Sequence, residues 1–305
     1  MVGSAIVRCL RQNGFSQLVL CPRAELDLCN QEAVNSFFSE TSPEAVILCA
    51  AKVGGIVANQ ELPAEFIQHN LMIQTNIISA ASHASIKDLL FLGSSCIYPR
   101  DCPQPIKEEY LLTGPLELSN RPYAVAKISG IEQCWANNRQ YGTRYLTVMP
   151  CNLYGVNDNY HAEHSHVIPG LIRRLHEAKI LQKPQASAWG TGRPRREFLF
   201  SDDLARACLH LLTLPTEKTR SVLQENCPPL INVGTGKDIT IAELATMISD
   251  IVGYEGSVSW DTQKPDGTPQ KVLSPSLMNS TGWHPQTSLY AGLKVAYDDY
   301  LQRHD

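Results

Sequence analysis

The chain has 305 residues, 43% of them hydrophobic and 18% charged, with a formal net charge of −4. That is enough apolar material for a large core and a length suited to about two ordinary domains. The acidic balance argues against a nucleic-acid binder, and the absence of a run of about 18 apolar residues argues against a membrane-spanning helix. The opening residues Met1-Val2-Gly3-Ser4 do not form a secretory leader. Ten cysteines are scattered with no Cys-x-x-Cys pair. Free thiols in a reducing compartment, the cytoplasm, are therefore expected rather than a disulfide framework.

In chain order, Val2–Leu10 reads as the opening of a helix closed by Asn13-Gly14. Leu18–Leu20 follows as an expected strand. A helix leading into a strand calls for an earlier strand to complete the βαβ unit, and no strand precedes Val2 in the sequence. The first strand and most of the glycine turn of a dinucleotide fold are thus expected to be missing, with Gly3 as the last glycine of that turn. Arg23, just past Leu18–Leu20, suits the 2′-phosphate of NADP, where an acidic residue would suit NAD.

A short helix is predicted over Asn30–Glu40, and a strand buried on both faces over Ala45–Ala50. A long helical pattern runs from about Glu61 to Ser85, followed by the apolar strand Leu89–Leu92. After a proline-rich loop, Pro122 opens a helix over Tyr123–Tyr141, and the strand Tyr145–Met149 comes next. This alternation of strand and helix predicts a doubly wound parallel α/β sheet.

Past Gly155 the pattern changes. A polar stretch, Asn157–His166, carries three histidines. A helix is expected over Pro169–Lys179, a short strand ending at Trp189-Gly190, and a basic loop over Arg193–Glu197. Ser201 is expected to cap a helix to about Leu212, and Thr240 another to about Val252. Strands are predicted near Leu230–Gly234 and Val258–Trp260, a tight turn over Pro265–Thr268, and a last helix from about Ser288 to Gln302. The chain divides into 1–155 and a smaller α/β part, 156–305, with residues near 197–214 returning to the first.

Chemistry concentrates in two segments. Gly93-Ser94-Ser95-Cys96-Ile97-Tyr98-Pro99 follows an apolar strand, where ligands of open α/β sheets lie. Tyr123 and Lys127 stand one helical turn apart, so the ammonium is expected to lower the Tyr pKa. A Ser hydroxyl hydrogen-bonding a substrate oxygen beside such a Tyr makes a proton-transfer unit of Ser94, Tyr123 and Lys127. Cys96 is either a small packing residue or a second reactive group. His161-x-x-His164-x-His166 has metal-ligand spacing, but no nearby Cys or second His group completes a site, so no metal is expected.

Together these blocks resemble the extended short-chain dehydrogenase/reductase family, in its branch acting on nucleotide sugars. The matching residues are Ala50–Ile56, Leu92–Pro99, Tyr123-x-x-x-Lys127, Asn152–Gly155, Ser165–Pro169, Trp189-Gly190-x-Gly192 and Lys264–Pro269. Tyr-x-x-x-Lys alone marks only the superfamily; the Ser-Ser-Cys-Ile-Tyr-Pro and Ser-His-Val-Ile-Pro blocks are specific to the branch. The resemblance implies a Rossmann-like fold and an NADP(H)-dependent enzyme on a GDP-linked 4-keto-6-deoxyhexose. Such an enzyme inverts C3 and C5 and then reduces C4.

The resemblance further implies Cys96 and His166 as base and acid of the inversions, and Tyr123, Lys127 and Ser94 as the reduction unit. It places the cofactor along Leu92, Gly93, Ser94, Ser95, Lys127, Pro150, Cys151, Asn152, Leu153 and His166, beside Gly3 and Arg23. It assigns GDP-sugar contacts to Arg174, Trp189, Arg196 and Asp266, and implies a homodimer through a four-helix interface. Two alternatives stay open: another nucleotide-sugar epimerase or dehydratase, and a non-catalytic nucleotide-sugar-binding subunit.

Overall fold

The computed structural model describes residues 1–304 apart from 223, 225 and 265. Helix α1 (Val2–Gln12) packs against α7 and leads to an irregular stretch and then α2 (Gln31–Thr41), whose N-cap Asn30 accepts the Ala33 N–H at 3.1 Å. Strand β1 (Ala45–Leu48) precedes α3 (Ile56–Glu61) and α4 (Pro63–His83); β2 (Asp88–Leu92) precedes α5 (Arg121–Tyr141). Pro63 and Pro122 sit in the first turns of α4 and α5, where their missing N–H is no loss. Gly142 ends α5 at φ 62°, a conformation side chains rarely adopt.

β3 (Arg144–Pro150) and β4 (Asn152–Tyr154) follow, then α6 (Val167–Ile180), β5 (Gln185–Trp189), β6 (Arg195–Phe200), α7 (Ser201–Leu212) and α8 (Thr216–Val222). The remainder comprises β7 (Leu230–Val233), β8 (Asp238–Thr240), α9 (Ile241–Val252), β9 (Ser257–Asp261), β10 (Gln270–Lys271), α10 (Ser276–Ser280) and α11 (Leu289–His304). A reciprocal cap between Thr240 and Glu243 starts α9.

The main sheet is parallel throughout, in the order β1-β2-β3-β7. Strands β2, β3 and β7 are buried along nearly their whole length, in keeping with their largely apolar sequences. Because they are parallel, the segments that follow them, 49–55, 93–98, 151–155 and 234–237, emerge at one end of the sheet. A second sheet, β10-β6-β4 with β8 on β6, and a β5–β9 pair lie beyond that end in sequence.

The buried apolar residues form separate cores. The largest joins α1, the main sheet and one face of α5, and α7 contributes Leu204, Ala205, Ala207, Cys208 and Leu211 to it. Another joins Tyr154, α6, β5, β6, α9 and α11. Strands β4 and β6, with Leu153 and Leu199 facing one core and Tyr154, Phe198 and Phe200 the other, therefore run between two cores.

Three expectations are corrected. Leu18–Leu20 forms no strand: it is irregular, and Val19 and Leu20 are more than half exposed. A strand exists only through its ladder partners, and those residues have none here, so β1 is the sheet's edge. The expected basic loop at Arg193–Glu197 is from Arg195 onward strand β6, because three neighbouring strands supply its backbone partners. Ser201 is the first residue of α7 rather than its cap, which is Phe200. Pro265, part of the expected tight turn, lies outside the described residues.

Candidate active site

Ser94 ends the β2 segment in extended backbone and accepts the Cys96 N–H at 3.4 Å, starting a single tight turn over Ser95–Ile97. The turn is pinned from beyond: the Tyr98 hydroxyl donates to Asn232 Oδ1 at 2.6 Å, and Asn232 Nδ2 donates to the Ile106 carbonyl at 3.0 Å. Cys96 is thereby fixed and nearly buried. Gly93 is glycine for packing: a Cβ there would lie 2.2 Å from Met149 Sδ.

From α5, Tyr123 comes within hydrogen-bonding influence of Ser94, and its ring meets Phe66 edge-on at 6.2 Å between centroids. Lys127 is 2% exposed; its Nζ donates to the Leu92 carbonyl at 2.8 Å and stands 4.5 Å from the Phe91 ring and 5.8 Å from the Tyr123 ring. Cys96 acts electrostatically on both Tyr123 and Lys127, and Ser94 hydrogen-bonds both Cys96 and Tyr123, so Ser94, Cys96, Tyr123 and Lys127, from two segments, share one site.

The electrostatics differ from expectation at Tyr123. Its pKa is raised, not lowered: burial dominates, a charged Cys96 adds to the rise, and only the Ser94 hydrogen bond opposes it. Burial also pushes Lys127 down from 10.5 to about 8. Desolvation disfavours any charge here, and the ammonium faces a carbonyl rather than the phenol. Burial raises the Cys96 thiol, against which Lys271, the Ser94 hydrogen bond and Lys127 pull down, Lys271 most strongly.

His166 is the N-cap residue of α6 and makes no side-chain cap bond; its ring is exposed, yet the surrounding protein lowers its pKa. Nearby, a Cβ on Gly55 would lie 3.7 and 3.8 Å from the carbonyl oxygens of Ser165 and His164, so the loop after β1 runs beside the start of α6. His161 Nδ1 is occupied by the backbone N–H groups of Glu163 and His164.

The four residues of the implied sugar-nucleotide grip meet. The Arg174 guanidinium lies 4.5 Å from the Trp189 ring, which is 37% exposed and also carries Lys264 Nζ at 5.3 Å. Asp266 accepts the Thr191 N–H at 2.9 Å and the Thr191 hydroxyl at 2.6 Å, tying down the turn after Trp189. Arg196 packs against Gly267, where a Cβ would come within 2.7 Å of Nη2. Burial lowers both Arg174 and Arg196, so these are desolvated cations suited to an anion.

Pro150–Leu153 continues from β3 into β4, with Asn152 Nδ2 donating to the Glu197 carbonyl at 2.8 Å. Gly3 is helical in α1, not part of a turn, and a Cβ there would make only ordinary contact with Cys49. Arg23 is exposed on a turn begun by Pro22.

The sequence reading missed Lys271, which no motif marks. It sits on two-residue β10, its backbone paired with Arg196, and is the cation most strongly felt by Cys96. It also passed over Glu197, a fully buried carboxylate between the site's two halves. A Glu followed by the apolar Phe198–Phe200 was the available signal, readable only once those residues were known to form a strand.

The profile of the NAD dependent epimerase/dehydratase family matches residues 1–234. GDP-L-fucose synthase 1 of Arabidopsis thaliana is 52% identical over 302 residues, covering 99% of this chain and 90% of that one. The GDP-L-fucose synthase of Escherichia coli (strain K12) is 51% identical over 308 residues, covering 100% and 95%. A crystal structure of a GDP-D-glycero-L-gluco-heptose synthase from Campylobacter jejuni, in the presence of NADPH, superposes with a TM-score of 0.92 at 37% identity, covering 98% of this chain and 95% of that one.

Proposed function

The chain belongs to the NAD dependent epimerase/dehydratase family, and on that premise we infer that it converts GDP-4-keto-6-deoxymannose to GDP-L-fucose. It is an NADP(H)-dependent oxidoreductase with epimerase activity. The observation that carries the assignment of roles is that Cys96 shares one electrostatic site with Tyr123 and Lys127. A reductase alone needs no thiol there; inversion beside a ketone needs a base.

Carbons flanking the C4 ketone carry acidic hydrogens. Cys96, as thiolate, removes a proton from C3 and from C5, and His166 returns one on the opposite face. The lowered pKa of His166 makes its protonated form the stronger donor. When bound, NADPH supplies the hydride that reduces C4. Lys127 fits that cofactor: with one N–H spent on Leu92, its ammonium keeps donors for ribose hydroxyls. In this reading Leu92–Ser95, Lys127, Pro150–Leu153, His166, Gly3 and Arg23 contact the cofactor. Tyr123 protonates the oxygen at C4 while Ser94 hydrogen-bonds it. The raised pKa of Tyr123 keeps the phenol protonated and ready to donate.

Arg174 and Arg196 bind the diphosphate, and Trp189 packs against the nucleoside. Asp266 acts on the turn holding Trp189 through Thr191. The division into 1–155 and 156–305, a cytoplasmic location and a homodimer through α4 and α5 belong to the same proposal. Leu62 and Met72, 39% and 38% exposed near and on α4, support that surface; a monomer in sedimentation at micromolar concentration would remove it.

The test is C96S in deuterated water. Deuterium uptake at C3 and C5 should disappear while reduction of a pre-epimerised substrate persists. Uptake at the unsubstituted rate would exclude Cys96 as the base.

A further inference from the structure

Glu197 is a fully buried carboxylate with, among the described residues, no cation among its hydrogen-bond partners. Its Oε1 accepts the Gly236 N–H at 2.6 Å and the Thr235 hydroxyl at 3.3 Å; its Oε2 accepts the Leu273 N–H at 2.8 Å. Gly234 is glycine because a Cβ would stand 2.3 Å from Oε1. Burying a carboxylate this way is costly, and here backbone N–H groups and one hydroxyl offset part of the cost. An apolar residue would fill the space more simply, so what the carboxylate holds together matters.

Its two carboxylate oxygens tie together three segments. One is the turn after β7, at the carboxyl end of the main sheet. The second is β6 itself, which carries the half-buried Arg196 and whose Glu197 carbonyl accepts from Asn152 of the 150–153 segment. The third is the stretch 271–273, which carries Lys271 alongside Arg196. That stretch is laced onward to the segment following Cys96 through Ile106 N–H to the Val272 carbonyl at 2.8 Å.

We propose that Glu197 is a positioning residue that fixes Arg196 and Lys271 relative to the Pro150–Leu153 segment. It touches neither substrate nor cofactor. Its removal frees the two cations to move relative to the cofactor side, so the sugar nucleotide is held less well while the cofactor is not. This rests on the proposed assignment of Arg196 to the diphosphate.

The experiment compares E197Q with D203N. Asp203 is equally buried and accepts backbone N–H groups of Gln286 and Thr287, each at 2.9 Å, but on α7 away from these segments. Both changes place an amide where a carboxylate met N–H donors, so both lower the melting temperature. Calorimetric titration with GDP and separately with NADPH, plus steady-state kinetics, separates them. E197Q should weaken GDP at least fivefold and raise KM for the sugar nucleotide in proportion, with NADPH affinity within twofold. D203N should leave GDP affinity and KM unchanged. If E197Q proves too unstable to purify, G234A displaces the same carboxylate without removing it and should weaken GDP likewise. GDP affinity within twofold in E197Q, or in G234A where that stands in, would overturn the proposal. So would equal GDP losses in E197Q and D203N. Absence of GDP binding by the unsubstituted protein would instead overturn the proposed function and this inference with it.

Discussion

Replacing Lys127 with methionine should destroy reduction and, near pH 7, stabilise the free protein. Lys127 is almost entirely buried, and its pKa falls from 10.5 to about 8. At about 1.4 kcal/mol per pH unit, keeping it charged near neutrality costs roughly 3 kcal/mol of folding free energy. The sign follows from the depressed folded value. The cost is full below about pH 8, where folded and unfolded lysines are both charged, and fades as pH rises toward 10.5. Methionine nearly conserves the volume but leaves the Leu92 carbonyl unpartnered, a loss of about 1 kcal/mol. K127M should therefore gain about 2 kcal/mol at neutrality and almost nothing near pH 10, the difference of those two terms. Urea denaturation of both proteins without cofactor at the two pH values measures this, and comparison at each pH cancels the other titrating groups. A K127M protein equally destabilised at both values would refute the reasoning, since Lys127 would then carry no desolvation cost.

Further outcomes follow from the same site. K271M removes the strongest downward pull on Cys96, so the thiol pKa should rise further. Alkylation of Cys96 by iodoacetamide and deuterium wash-in at C3 and C5 should both shift to higher pH; unmoved profiles would exclude Lys271 as the tuning charge. G93A forces a methyl against Met149, which is fully buried and has no room to swing aside. Overpacking of this kind costs about 1–3 kcal/mol, and calorimetric melting should show it; an unchanged melting temperature would mean that Met149 repacks freely.

The carboxyl end of the parallel sheet was legible before any coordinates. Ala45–Leu48 and Leu89–Leu92 are short, wholly apolar runs, the pattern expected of parallel strands, and Leu89–Leu92 is buried throughout. Tyr123 and Lys127 share a helix face by spacing alone. The blocks around Cys96 and His166 carried the family likeness, and with it the chemistry. Local patterning suffices for such features because each is set within about ten residues.

Other properties depend on neighbours distant in sequence. Leu18–Leu20 has strand composition but no ladder partner, so it stays irregular. Arg195–Phe200 looks like a charged loop, yet it is a central strand because β4, β8 and β10 bond to it. The rise in the Tyr123 pKa was equally invisible: adjacency to Lys127 predicts a fall, but desolvation is summed over everything packed around the phenol. Lys271 reaches Cys96 across 175 positions of chain, and Glu197 closes on backbone groups from two other segments. Residue order determined which groups were available. Burial and long-range pairing, properties of the folded whole, decided their charge and their place.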